Sequence, residues 1–271
     1  MNWASLEVLD LDGSHEVATG SSEMLVVPLA GSCSVRCGDE TLELTGRASV
    51  FDGVTDFAYL PRNSTAVISG SGRFALPGAV AERDLPFRYG SAENVPVELR
   101  GAGSCSRYVR NFCMEPTFDA DGLLACEVIT PAGNWSSYPP HKHDQDRPGE
   151  ESVLEEIYYF EIGISQIEKS QNGISQIGKS GIGYMRAYSS DERPIDVLAE
   201  VRTGDQVLVP YGWHGPAMAV PGYDMYYLNV MAGPGEERAW KIVDDPEHTW
   251  LRGTWEDQDV DPRLPLRARG V

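Results

Sequence analysis

The sequence predicts an all-β protein built from two sandwich- or barrel-like units, and three observations lead there. Among 271 residues there are 28 glycines and 18 prolines, a composition that favours many short strands and turns over long helices. The apolar residues fall in short runs, most of them bounded by Gly, Asp, Asn or Pro, the punctuation of hairpins. The length suits one large β domain or two small ones and is ample for a sizeable core.

In chain order, the strand-like runs are 24–29, 32–37, 57–60 and 66–69, then 123–130, 157–162, 206–210 and 225–231. In the second run Cys33, Val35 and Cys37 alternate with Ser34 and Arg36, which puts the three on one face of a strand, read as the buried one. Gly38-Asp39 separates one apparent strand pair, and Gly204-Asp205 opens the strand at 206. Many short strands at this spacing fit a sandwich or barrel, twice over for this length. The pattern weakens between Pro96 and Phe118, around Gly101-Ala102-Gly103-Ser104. The expected division is therefore residues 1–117 and residues 118–271. Gly163-Ile164-Ser165-Gln166-Ile167 recurs as Gly173-Ile174-Ser175-Gln176-Ile177, and Lys169-Ser170 recurs as Lys179-Ser180. One copied ten-residue unit is too short for a solenoid and reads as a tandem duplication lengthening a solvated hairpin connection.

Composition also narrows the function. With 22 basic against 41 acidic side chains the net charge is −19, which opposes binding to nucleic acid or to anionic membranes, since both need a basic face. A small anionic substrate remains compatible if particular cations line its pocket. No basic n-region with an apolar stretch opens the chain, and no run of about 18 apolar residues occurs, so neither a signal peptide nor a membrane span is expected. The five cysteines (Cys33, Cys37, Cys105, Cys113 and Cys126) are an odd number and are expected as reduced thiols in a cytoplasmic protein.

Histidine is scarce and its placement is informative. The five are His15, His141, His143, His214 and His248, so no imidazole comes from residues 16–140. In Tyr138-Pro139-Pro140-His141-Lys142-His143-Asp144 two histidines stand at i and i+2, and on an extended strand both rings share one face while Lys142 points away. Such a pair can chelate one divalent ion. Glu155 or Glu156, just before Ile157-Tyr158-Tyr159-Phe160, could add a carboxylate. His214, after a Pro210-Tyr211-Gly212-Trp213 turn, could add a third imidazole. Three histidines and a carboxylate leave coordination positions open, as a catalytic metal site requires.

The order Gly133, His141-Lys142-His143, Glu155, then Gly204, Pro210-Tyr211-Gly212-Trp213-His214, resembles the two cupin motifs. The longer strings Thr130-Pro131-Ala132-Gly133-Asn134-Trp135 through His143-Asp144, Glu155-Glu156-Ile157-Tyr158-Tyr159-Phe160 and Pro221-Gly222-Tyr223-Asp224 through Gly233-Pro234 resemble the 5-deoxy-glucuronate isomerase family of inositol catabolism. The strong part of this resemblance covers about residues 120–255. Ser49-Val50-Phe51-Asp52-Gly53 and Tyr59-Leu60-Pro61 extend it weakly into the N-terminal half. It implies a bicupin, two double-stranded β-helix (jelly-roll) barrels, with an N-terminal unit that lacks metal ligands. It also implies one divalent ion per chain (Zn, Mn or Fe) held by His141, His143, Glu155 and His214. Glu155 is preferred over Glu156 because the family pattern puts the ligand three residues before the first strand tyrosine, here Tyr158. Eleven residues separate His143 from Glu155, more than in most cupins.

The implied reaction is aldose–ketose isomerisation of 5-deoxy-D-glucuronate to 2-deoxy-5-keto-D-gluconate, with a homo-oligomeric enzyme expected. For the sugar-acid carboxylate Arg186 is the first candidate, since a guanidinium grips carboxylates bidentately. Tyr159, sharing strand parity with Glu155, and Tyr227 are candidates for hydrogen bonding or proton relay. Asp224 and His248 read as structural. The competing functions are another metal-dependent cupin enzyme, such as an oxygenase, and a non-catalytic sugar-acid binder.

Overall fold

A computed structural model describes residues 1–165, 181–190 and 193–265. The segment carrying most of the duplicated Gly-Ile-Ser-Gln-Ile unit, 166–180, lies outside the described residues.

The first six strands are β1 (Ala4–Ala18), β2 (Ser22–Cys37), β3 (Glu40–Arg47), β4 (Phe57–Leu60), β5 (Thr65–Val80) and β6 (Arg88–Gly90). They form one antiparallel sheet ordered β1-β5-β2-β4-β6, with β3 pairing β2. The runs 24–29 and 32–37, separate in the sequence prediction, are one long strand, β2. Gly38-Asp39 is the two-residue turn into β3, Gly38 supplying the positive φ (59°) that such a turn needs.

The chain continues as β7 (Val97–Arg100), β8 (Arg107–Cys113), β9 (Leu124–Thr130), β10 (Trp135–Ser136), β11 (His141–Lys142), β12 (Asp144–Arg147) and β13 (Glu151–Val153). Then come β14 (Glu155–Ile164), β15 (Gly183–Ser190), β16 (Arg193–Val201), β17 (Gln206–Val209), β18 (Trp213–Ala219), β19 (Tyr223–Ala232) and β20 (Val243–Asp244). One sheet is ordered β17-β14-β19-β9-β8-β7, and another β16-β15-β18-β11-β20 with β10 on β18. Residues 97–113, assigned to the N-terminal unit by the division at 117, instead hydrogen-bond in the second unit's sheet, β8 against β9. Backbone pairing therefore changes partner between Gly90 and Val97.

Three apolar cores stack through the molecule. One lies within the first sheet, around Val26, Val35, Leu44 and Phe74. The next lies between the first sheet and the β14–β19–β9 sheet and includes Leu25, Tyr59, Ile157, Tyr159, Tyr226 and Leu228. The last lies between that middle sheet and β15–β18 and includes Tyr158, Phe160, Met185, Ala217 and Tyr227. The middle sheet is thus buried on both faces, which explains its near-continuous apolar runs. Alternate residues of β14 enter different cores, odd numbers facing the first unit and even numbers facing the interior of the second. All five cysteines are free thiols, Cys37 alone being only half-buried. Among the described residues no helix is long and apolar enough to cross a membrane.

Candidate metal centre and adjoining cavity

Strand pairing builds the centre. His141 on β11 lies directly opposite His214 on β18, and the two rings sit 4.5 Å apart between centroids. His143, two residues on, brings its ring within 4.8 Å of that of His214. Lys142 between them turns away, as strand alternation requires, to a buried pair of carboxylates, Asp144 (2.7 Å) and Glu151 (2.8 Å). A glycine within β18 lets the strand approach the segment before β11 this closely. Gly215 holds φ +94°, and a Cβ there would lie 1.7 Å from the Ser137 carbonyl oxygen.

The carboxylate that joins these imidazoles belongs to Glu156. The ligand atoms of His141, His143, Glu156 and His214 all lie within 4.8 Å of one another, and all four residues are buried. Glu155, which the family resemblance implies as the ligand, faces the other way. Its carboxylate accepts the backbone N–H groups of Asn2 (2.8 Å), Trp3 (2.9 Å) and Ala4 (3.4 Å), tying down the start of the chain. Strand parity is the cause, because Glu156 shares its face with Tyr158 and Phe160, which line the second unit's interior.

The electrostatics suit a cation. Each imidazole offers Nδ1 to a backbone carbonyl: His141 to Pro139 (3.4 Å), His143 to Leu154 (3.2 Å) and His214 to Gly212 (3.1 Å). A carbonyl only accepts, so Nδ1 carries the hydrogen and Nε2 presents its lone pair to the centre. The Nε2 atoms of His141 and His214 are buried without a hydrogen bond. Glu156 Oε2 lies 3.0 Å from Nε2 of both His143 and His214, and Asn229 Nδ2 donates to its other oxygen. Burial and the two neighbouring imidazoles push His141 well below the usual histidine range. Burial opposes the charge on Glu156, but the close contacts of its oxygen with the His143 and His214 rings outweigh it and hold the carboxyl low. Glu156 beside it raises His143 against the effect of burial, so a bound ion would displace a proton there. Three imidazole nitrogens and a carboxylate converging on one point are a donor set that Zn, Mn or Fe accepts, so the residues fit the ion.

A cavity of about 220 Å³ adjoins the centre, with His141, Ser137, Tyr227 and Asn229 in its lining. Ser137 Oγ sits between two phenols, 3.1 Å from Tyr158 and 3.2 Å from Tyr227. Tyr227, expected at the site, is there. Tyr159 is not: it lies in the core between the units and donates to Glu161 (3.1 Å). The same parity that excludes Glu155 excludes Tyr159. Arg186 is not there either. It pairs with Asp196, donates to the Val197 carbonyl (3.1 Å), and lines a separate open cleft with Tyr138 and His248. Asp224 accepts from the Ala132 backbone (2.9 Å), and His248 rests its ring near Tyr138. Arg100, Arg107 and Arg252 also line the cavity, and no local sequence signal marks them. The first two face each other across β7 and β8, and the third comes from the 3-10 segment Thr249–Asp257.

A profile of the KduI/IolB family matches residues 2–251. The 5-deoxy-glucuronate isomerase of Bacillus licheniformis is 38% identical over 257 residues, covering 93% of this chain and 88% of that protein. The enzyme of the same name from Geobacillus kaustophilus is 41% identical over 239 residues, covering 86% and 79%. The crystal structure of an IolB-like protein from Salmonella typhimurium LT2 superposes with a TM-score of 0.81 at 34% identity, covering 92% of this chain and 90% of that one. Lactobacillus farciminis oxalate decarboxylase superposes with a TM-score of 0.60 at 11% identity, covering 90% and 80%, a likeness of fold alone that agrees with the cupin-type architecture. Similarity sustained over nearly the whole sequence and structure shows that the chain belongs to the KduI/IolB family and is an isomerase.

Proposed function

We propose that this protein is a metal-dependent aldose–ketose isomerase that interconverts 5-deoxy-D-glucuronate and 2-deoxy-5-keto-D-gluconate in the cytoplasmic catabolism of inositol. The observation that carries the metal requirement is the convergence of three buried imidazoles on the Glu156 carboxylate, with the Nε2 of His141 left without a hydrogen bond. The substrate comes from the relatives named 5-deoxy-glucuronate isomerase. Five free thiols fit a reducing compartment.

The net reaction moves two hydrogens between neighbouring carbons, from a CH–OH group to the adjacent aldehyde. A divalent ion held by His141, His143, Glu156 and His214 would polarise the substrate oxygens and so acidify the C–H bond between them. The remaining work falls to side chains in the cavity. Tyr227 is buried, and burial raises its phenol above the ordinary value, so it is protonated at neutral pH and donates a hydrogen bond to a substrate oxygen. Ser137 relays between the Tyr227 and Tyr158 hydroxyls and offers an exchange path for that proton. Asn229 fixes the orientation of Glu156 from behind.

The deciding experiment follows 5-deoxy-glucuronate by NMR with purified protein before and after chelation. Metal-dependent appearance of the ketone, abolished in His141→Ala, is the expected result. No product from fully metal-loaded protein would reject the reading.

A further inference from the structure

We propose that Arg107 is the anchor for the substrate carboxylate, a role for which Arg186 stands in the wrong cleft. The proposal deepens the isomerase reading and rests on it for the identity of the ligand. The chemistry of the site, a pocket for a small monocarboxylate, stands on its own geometry.

Arg107 lines the same cavity as His141. It is only 6% exposed. Its Nη1 donates to the Cys105 carbonyl (3.0 Å), and among the described residues no carboxylate lies within 4.0 Å of its guanidinium. The two other arginines of the cavity are already neutralised. Arg100 pairs with Glu98 (2.8 Å), and Arg252 pairs with Asp244 (2.7 Å). One buried cation is left over in a chain whose net charge is −19. A buried charge without a counterion costs stability unless a ligand supplies one. Burial indeed pulls the Arg107 guanidinium down to about 10 from an ordinary 12.5.

The guanidinium is held in place for recognition. It stacks over the Trp255 ring at 5.5 Å, and a Cβ added at Gly101 would come within 2.7 Å of its Nη1, so the β7–β8 connection packs directly on it. A pre-positioned fork matches the two oxygens of a carboxylate. The cavity is smaller than the roughly 300 Å³ at which drug-sized ligands begin, in keeping with a single sugar acid spanning from Arg107 to the imidazole end.

The test uses calorimetry on metal-loaded protein with D-glucuronate and D-glucose, a pair differing in the carboxylate, beside turnover of 5-deoxy-glucuronate. Wild type is expected to bind D-glucuronate at least tenfold more tightly than D-glucose. Arg107→Met should lose about thirtyfold in D-glucuronate affinity and raise KM similarly. Its metal content should be unchanged, and its Tm should stay level or rise because an uncompensated buried charge has gone. D-glucuronate affinity and KM within twofold of wild type in Arg107→Met would overturn the proposal, as would a lowered Tm with those values intact, the mark of a structural arginine. Equal binding of the two sugars by wild type, or none of either, would overturn it too. Should Arg107→Met fail to fold, Arg107→Lys decides. At least fivefold weaker D-glucuronate binding with metal retained supports the anchor, and wild-type affinity rejects it. Binding through Arg107 without turnover of 5-deoxy-glucuronate would reject the isomerase reading and keep the anchor. Turnover untouched in Arg107→Met would do the reverse.

Discussion

Glu155 and Glu156 are neighbours in sequence with opposite environments, because successive strand residues face opposite sides of a sheet. Glu156 meets three imidazoles in the interior of the second unit, whereas Glu155 caps the backbone N–H groups at the chain's start. The two substitutions should therefore separate cleanly. Glu156→Gln is expected to weaken metal binding by a hundredfold or more, more than the roughly 10- to 100-fold cost of losing a supporting residue. Glu155→Gln should retain stoichiometric metal while its first residues exchange amide hydrogens faster. Metal analysis together with hydrogen exchange reads both. The tyrosines divide by the same rule. Tyr227→Phe should lower kcat about a hundredfold at unchanged metal content, in the range for a lost proton donor. Tyr159→Phe, whose hydroxyl meets Glu161 outside the cavity, should leave kcat within a few-fold.

At the scale of elements, the centre depends on how closely β18 passes the segment before β11. Gly215 sits at φ +94° with the Ser137 carbonyl where a Cβ would go, 1.7 Å away. Gly215→Ala must push that segment off, and with it Ser137 and His141. The expected cost is about 2–4 kcal/mol of stability, the sum of a strained backbone and a displaced contact, seen as a lowered Tm with reduced metal content. Much of this element-level layout is legible in the sequence. The alternation at Cys33, Val35 and Cys37, the Gly38-Asp39 turn and the His-x-His pair all follow from period and turn chemistry. The choice between Glu155 and Glu156 is not legible, because β14 is buried on both faces and its apolar run carries no alternation to mark the inner side. The family pattern, which puts the ligand three residues before Tyr158, is then the only guide, and it points to the wrong neighbour. Nor do Arg100, Arg107 and Arg252 show, since only the pairing of β7 with β8 and the fold of the C-terminal segment bring them together.

At the scale of the molecule, the two units are joined by more than apolar packing, and a composition-based boundary misses this. Residues 97–113 look like a linker because Gly101 and Gly103 interrupt them, yet β7 and β8 extend the middle sheet. Arg110 on β8 then reaches a buried ionic cluster across the interface. Glu127 on β9 accepts from Arg47 of the first unit (3.0 Å), from Arg110 (3.2 Å) and from the Tyr226 hydroxyl (2.8 Å), while Arg110 also donates to the Val50 carbonyl (2.9 Å). Burial alone would raise the Glu127 carboxyl, but the attraction of Arg47 and the hydrogen bonds around it prevail and lower it. Its folded value thus lies below the ordinary 4.5, so the unfolded chain binds the proton more readily. The stabilisation is complete above about pH 5 and is lost as pH falls through the depressed folded value. Replacing the carboxylate leaves two guanidinium groups facing each other in the core, a defect of about 3–5 kcal/mol for a broken buried pair. Urea unfolding of wild type and Glu127→Gln at pH 7 should show that gap. Repeated at successively lower pH, the gap should narrow as wild type loses stability faster than the variant. A gap that stays constant down to pH 3 would mean that Glu127 does not titrate with folding and that the interface is held by packing alone.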